Sequence, residues 1–272
     1  MALVPFPNKT AIQSSDDDLD PDDDPLDDHA GKMSFLDHLD ELRKRIIWAV
    51  VSIGAGFLVS CLFIQRMFDF IMKPLQAQLP LGGHLVYTEP SEAFTLYIKI
   101  AVIGGIILAS PAVMAQVWLF IAPGLYSHEK KLAIPFVVMS SFFFVTGAAF
   151  SHYVVFPMTW KFFVSFTTDY MTFMPRIEPA FALYMKLLLS FGLVFQMPTV
   201  VLFLARMGMI TARFMMKNFK YAVLIIFIAA AVLTPDGSPV TQTAMAGPMV
   251  LLYLISVALA WLFGKKRRVE EA

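Results

Sequence analysis

The sequence predicts an all-α integral membrane protein with six transmembrane helices, both termini cytoplasmic, and short fifth and sixth helices. Three observations lead there. Of 272 residues, 58% are hydrophobic and only 15% are charged, and the mean hydropathy is +0.67. That is more apolar surface than one soluble core can bury. The apolar residues gather into six segments, and the basic residues concentrate on alternate flanks of those segments.

Residues 1–32 read as a disordered acidic tail. Residues 1–28 hold nine aspartates against Lys9 alone, so the formally neutral chain is an acidic tail on a basic body. The stretch 16–28 has two prolines and no periodic apolar residues, and cannot offset its ordering entropy. The N-terminus lacks the basic-then-apolar pattern of a signal peptide. Residues 33–264 form the membrane domain, and 265–272 a short basic and acidic cytoplasmic tail. The lone cysteine, Cys61, lies in the first apolar run, so no disulfide forms within the chain.

The first element is a charged helix running into a span. Ser34 reads as its N-cap and Asp37 as N3, a weaker form of the capping box. Phe35, Leu39, Leu42 and Ile46 fall on one stripe, leaving Asp37, Asp40, Glu41, Arg43 and Lys44 on the wet face. Glu41 and Arg45 are spaced i,i+4, an ion pair of only ~0.3–0.5 kcal/mol. Charge stops at Ile46, where 20 uncharged residues begin, so fixed carboxylates and guanidiniums are set at the bilayer surface.

The six spans are expected at 46–64, 94–120, 132–156, 183–205, 221–233 and 244–263, since about 20 residues cross a hydrocarbon core about 30 Å thick. The fifth is marginal. Only 15 residues separate Lys220 from Asp236, reaching roughly 22 Å. Either the bilayer thins there or the last hairpin stops short of the far surface. A re-entrant hairpin over 221–263 leaves both termini on one side just as six spans do. The flanks carrying Arg43, Lys44, Arg45, Lys130, Lys131, Arg206, Arg213, Lys217, Lys220, Lys265, Lys266, Arg267 and Arg268 outnumber those carrying Arg66, Lys73, Lys161 and Arg176 by thirteen to four. The positive-inside bias therefore places both termini in the cytoplasm. The outer loops, 66–91, 157–179 and 234–239, are punctuated by proline and read as a stiff cap.

Enzymatic patterns are missing. The sequence has no phosphate-binding glycine loop, no dinucleotide pattern, no HExxH and no GxSxG, and its five histidines lack ligand spacing. No cofactor, metal or nucleic acid is expected, and the chain is not expected to be an enzyme. Two carboxylates stand out instead: Glu41 before span one and Glu129 at the start of the helix after the Pro123-Gly124 turn. At one surface, beside aromatic side chains, they could bind guanidinium groups bidentately, or Glu129 could simply pair with neighbouring lysines. Within the spans, Lys99 and Lys186 need a partner, a wet cavity or snorkelling reach. Gln196 precedes Met197-Pro198 and needs a hydrogen-bond partner.

These segments resemble the TatC family, the multispanning core of the twin-arginine, Sec-independent protein translocase. The carriers are His38-Leu39-Asp40-Glu41-Leu42-Arg43-Lys44-Arg45; Gln116-Val117-Trp118-Leu119-Phe120-Ile121-Ala122-Pro123-Gly124-Leu125 with Glu129; Val155-Phe156-Pro157; Phe195-Gln196-Met197-Pro198; and Leu233-Thr234-Pro235-Asp236. The resemblance runs from Phe35 to Gly264. It implies a bacterial inner-membrane receptor of glove-like shape for the twin-arginine signal peptides of folded precursors. It implies binding by Glu41 and Glu129 with Arg43, Arg45, Gln116 and Phe120, and polar roles for Gln196 and for Asp236, which could equally be an Asx-type turn residue beside Pro235. Lys99 joins them as an intramembrane polar residue by its position alone. TatA-like and TatB-like single-span partners, a homo-oligomer within the complex and drive by the protonmotive force follow from the same resemblance. The family often has glutamate where this chain has Gln196, which removes a titratable group. The competing expectation is a secondary transporter or channel for a small solute, with Lys99, Lys186 and Gln196 lining its path; an intramembrane enzyme comes behind both, for want of paired catalytic residues.

Overall fold

The computed structural model describes residues 35–79, 84–121, 133–168, 170, 173–234 and 237–264. The acidic N-terminal tail and the C-terminal tail lie outside the described residues. Ten α-helices and one π-helical turn follow in order: α1 Phe35–Leu62, α2 Ile64–Gln76, α3 Pro90–Ile121, α4 Ala133–Phe150, the π turn Ser151–Val155, α5 Phe156–Val164, α6 Ile177–Val194, α7 Met197–Arg206, α8 Ala212–Lys217, α9 Phe219–Leu233 and α10 Pro239–Phe263. Among the described residues, five stretches are long and apolar enough to cross a membrane: His38–Leu62, Pro90–Ile121, Ile134–Val164, Ile177–Arg206 and Pro239–Phe263. Phe219–Leu233 is a shorter apolar helix. Six spans fit this arrangement.

Proline decides where the long spans bend. Pro111 in α3 cannot donate to the Ile107 carbonyl, and the Ser110 hydroxyl takes that carbonyl at 2.8 Å. Pro157 opens α5, and the π turn immediately before it absorbs the missing bond, so α4, the turn and α5 run on as one span. Pro198 does the same between α6 and α7, where Phe195 and Gln196 form the break.

Outside water, apolar burial gives helices little reason to associate, so close backbone approach matters. Gly56 of α1 and Gly105 of α3 face each other across such an approach. A Cβ on Gly56 would lie 2.5 Å from the Gly105 carbonyl oxygen, and one on Gly105 would lie 2.7 Å from the Phe57 nitrogen. The main buried cluster is centred on Phe156, Phe181, Tyr184, Leu187 and Phe191, all at most 2% exposed.

Three departures from expectation have a common cause in capping and loop packing. The sixth span is not short, since α10 runs 25 residues and begins at Pro239. Ser238 caps it, and proline at the first position has no amide to lose. The first loop expected outside contains α2, whose Ile71, Met72 and Leu75 are buried. The second begins only after Val164, because α5 prolongs the third span.

The fifth span is short, as expected, and the structure shows how. The Lys186 ammonium, nine residues into α6, donates to the Val232 carbonyl in the last turn of α9. That depth is about 13 Å along α6 from Ile177, so α9 stops well short of the level at which α6 begins. Gln242 of α10 donates to the Phe227 carbonyl at 2.8 Å and ties the hairpin together.

On the same side, the loop between α2 and α3 and the loop between α5 and α6 are clasped. Val86 and Arg176 form an isolated parallel bridge, with Val86 N to Pro175 O at 3.1 Å and Ile177 N to Val86 O at 2.9 Å. Buried Glu92 accepts from Arg176 and from the Thr88 hydroxyl and amide. Its hydrogen-bonded carboxylate holds the Arg176 guanidinium above its ordinary pKa.

Candidate functional site at the first-helix surface

Three of the residues expected to act together are brought together by two antiparallel helices. The Gly56–Gly105 contact registers α1 against α3. Eleven residues along each helix from that contact lie Arg45 and Gln116. Arg45 Nη1 reaches Gln116 Oε1 at 3.4 Å, and Arg45 Nη2 donates to Glu41 Oε1 at 3.1 Å. The Glu41 side chain is 15% exposed and that of Arg45 26%, so the pair is half-buried and not a solvated surface pair.

The cluster is not closed. Glu41 Oε2 and Arg45 Nε are buried and have no hydrogen-bond partner among the described residues. A buried carboxylate oxygen without a donor loses its hydration without compensation. Phe120 lies one turn beyond Gln116, on the same face of α3, and is half-buried. Arg43 and Lys44 are exposed. Carboxylate, guanidinium and amide thus meet at one end of the helix pair, with an aromatic ring one turn further along α3, an arrangement suited to holding a second guanidinium. Glu129 and Asp236 lie outside the described residues.

The intramembrane polar residues are satisfied within the chain. Gln196 is 8% exposed, sits at the α6–α7 break, and donates through Nε2 to the Ser140 carbonyl of α4 at 2.8 Å. Lys99 pairs with Glu178 at 2.9 Å at the opposite end of the molecule from Arg45, a snorkelling arrangement. With Lys186 on Val232, each of the three engages a different partner. None of them lines the apolar cavity of about 520 Å³ beside α1 and α3.

Sequence reasoning missed the anchor behind the site. Trp118 lies between Gln116 and Phe120, and its indole N–H donates to the Ser140 hydroxyl at 2.7 Å. Its ring stacks on Phe136 at 4.8 Å and meets Phe203 edge-on at 4.9 Å. Ser140 thus takes Trp118 on its hydroxyl and Gln196 on its carbonyl, joining α3, α4 and the α6–α7 break. The one signal available was the need of any buried indole N–H for a partner. Among the described residues no group of His, Cys, Asp or Glu could hold a metal ion.

Comparison with known proteins gives a consistent result. The family model for TatC, the Sec-independent protein translocase protein, matches residues 37–248. A curated TatC of Desulforapulum autotrophicum is 41% identical over 240 residues, covering 88% of each chain. That of Koribacter versatilis is 41% identical over 239 residues, covering 87% of this chain and 88% of the relative. The TatC of Aquifex aeolicus is 34% identical over 238 residues, with 87% and 98% covered. A crystal structure of the twin-arginine translocase receptor TatC aligns with a TM-score of 0.72 at 34% identity, covering 82% of this chain and 97% of that one. A second, of that receptor in DDM, aligns at 0.73 and 33%, with 82% and 99% covered.

Proposed function

The chain belongs to the TatC family of Sec-independent protein translocase proteins, and from that premise we propose that Glu41 is the anchor of a site for the arginine pair of twin-arginine signal peptides. As a TatC protein it is a membrane-embedded core component of the translocase, a transport role and not a solute-transport one. Folded precursors bearing such signal peptides dock on the surface formed by Glu41, Arg43, Arg45, Gln116 and Phe120, with Glu129 completing the carboxylate pair. TatA-like and TatB-like single-span proteins then join, several copies assemble, and the protonmotive force drives export. The chain itself performs no catalytic step. The site faces the cytoplasm, in a bacterial inner membrane with both termini inside, which the thirteen-to-four basic bias supports.

The observation that carries this reading is the buried, unpartnered Oε2 of Glu41. Arg45 occupies the other oxygen and fixes the carboxylate in place, so an incoming guanidinium finds an oriented acceptor. A guanidinium fits better than an ammonium because its fixed fork can also reach neighbouring acceptors such as Gln116 Oε1. The test is site-specific photocrosslinking from positions 43, 116 and 120 to a folded precursor. Adducts should form with an arginine-pair signal peptide and fall sharply when the pair is replaced by lysines. Equal adducts with both would remove the arginine site from this surface.

A further inference from the structure

We infer that the apolar cavity beside α1 and α3 holds one acyl chain of a phospholipid, with the phosphate seated on Arg66. The cavity has a volume of about 520 Å³, within the range of roughly 300–1,000 Å³ found for small-molecule sites. It is bounded by the end of α1, by α2, and by α3, α4, the π turn and α6. Its rim is open sideways, since Phe63, Phe70, Leu108, Val145 and Tyr153 are 45–66% exposed. In a bilayer such a rim meets lipid.

Its depth and polarity select the occupant. Leu108 lies 13 residues from Ile121, the far end of α3, or about 20 Å across a hydrocarbon layer about 30 Å thick. The cavity therefore occupies the third of the membrane remote from Glu41, and Arg66, just past the end of α1, stands at the interface there. Arg66 is exposed and makes no ion pair among the described residues. Inside, the lining includes the His152 ring beside Tyr184. Its Nδ1 is 3.0 Å from the Tyr184 hydroxyl and its ring stacks on Phe70 at 4.3 Å. When Tyr184 donates to Nδ1, Nε2 carries the proton and is a donor suited to an ester carbonyl. A cation at the interface, a donor below it and an apolar slot below that match phosphate, ester and acyl chain in that order. A transmembrane helix, ~10–12 Å across with its side chains, is a poorer fit to this volume, and it brings no anion to Arg66 at that depth.

The full-length chain, reconstituted in vesicles, can be tested with two probes carrying the same diazirine-labelled acyl chain: phosphatidylglycerol, and a diacylglycerol that lacks the phosphate. Adducts mapped by mass spectrometry should concentrate in residues 103–108 and 145–149, at least 10-fold above the diacylglycerol. Arg66→Gln should bring the phospholipid down to the diacylglycerol level. Ala149→Phe, which fills the cavity, should remove the local adducts of both; Arg66 is exposed, so its variant decides the matter if Ala149→Phe does not fold. Labelling spread evenly over the lipid-facing helices, equal labelling by the two probes, or indifference to Arg66→Gln would overturn the site. Displacement of the phospholipid by a partner helix, seen as protein adducts from a photoreactive residue at Phe63, would assign the cavity to a protein instead.

Discussion

Replacing Glu41 with glutamine keeps the side chain's shape and removes its charge. In the resting protein one carboxylate oxygen accepts from Arg45 at 3.1 Å and the other is buried without a donor. A guanidinium arriving at that second oxygen gains a hydrogen bond to a charged group, about 1.5–3 kcal/mol. Glutamine still offers a neutral acceptor there, worth about 0.5–1.5 kcal/mol, while repulsion from Arg45 is the same in both proteins and cancels. The net loss on Glu41→Gln should therefore be about 1–2 kcal/mol, or roughly a 5- to 30-fold weaker Kd. The fold should survive, since glutamine fills the same space and its amide oxygen can still accept from Arg45. The assay is binding of a fluorescent folded precursor to the purified full-length chain in detergent. All four combinations of Glu41 or Gln with arginine-pair or lysine-pair signal peptide should be measured. The arginine cargo should lose more than the lysine cargo, and the difference is the coupling energy. A change under twofold, or equal losses for both cargoes, would refute the assignment and make Glu41 a helix-surface residue tied to Arg45.

Gln196→Leu removes a 2.8 Å bond to Ser140 and should cost about 0.6–1.5 kcal/mol, read as a lower Tm in detergent; Gln196→Glu keeps that bond only in its protonated form and should be less stable at pH 8 than at pH 5. Trp118→Phe retains the stacking on Phe136 but loses the bond to Ser140, so it should lower precursor affinity by about 2- to 5-fold, corresponding to no more than about 1 kcal/mol, with the helix content by circular dichroism unchanged. Gly105→Ala, which drives a methyl to 2.7 Å from the Phe57 backbone, should destabilise by about 1–3 kcal/mol in thermal unfolding, whereas Gly54→Ala, with nothing within 4 Å, should not. Reporter fusions after Arg66 and within 165–168 should lie outside the membrane and fusions near Lys217 inside; an internal 165–168 segment would reverse the proposed orientation.

Where the sequence was readable, one local rule sufficed. Hydropathy located every span, because a hydrocarbon layer demands length and apolarity from each helix separately. The Glu41–Arg45 pair followed from helical periodicity. The helices begin earlier than hydropathy predicts at Pro90 and Pro239, because proline, which punctuates loops, costs nothing at the first position of a helix. What stayed hidden is long-range. Arg45 meets Gln116 across 71 residues, Lys99 meets Glu178 across 79, and Gln196 meets Ser140 across 56. Nothing in a single chain's pattern fixes such pairings, since each depends on how two helices are turned about their own axes.

The hidden pairings explain how the proposed docking surface can be rigid in a solvent that drives helices together only weakly. Prolines free backbone carbonyls in the middle of spans, and bonds made by Ser110 and Gln196 lie at two of those places. The bond at the Pro198 break does two jobs, because its acceptor, Ser140, also holds the indole of Trp118. Trp118 in turn lies between Gln116 and Phe120 on the helix that presents both. A break in one span thereby steadies the end of another, and Arg45 links that end to Glu41. A flexible signal peptide already loses conformational freedom on binding. A receptor whose own side chains are held beforehand adds less to that cost, so under the proposed reading the buried polar contacts within the membrane serve recognition as much as the carboxylate at its surface.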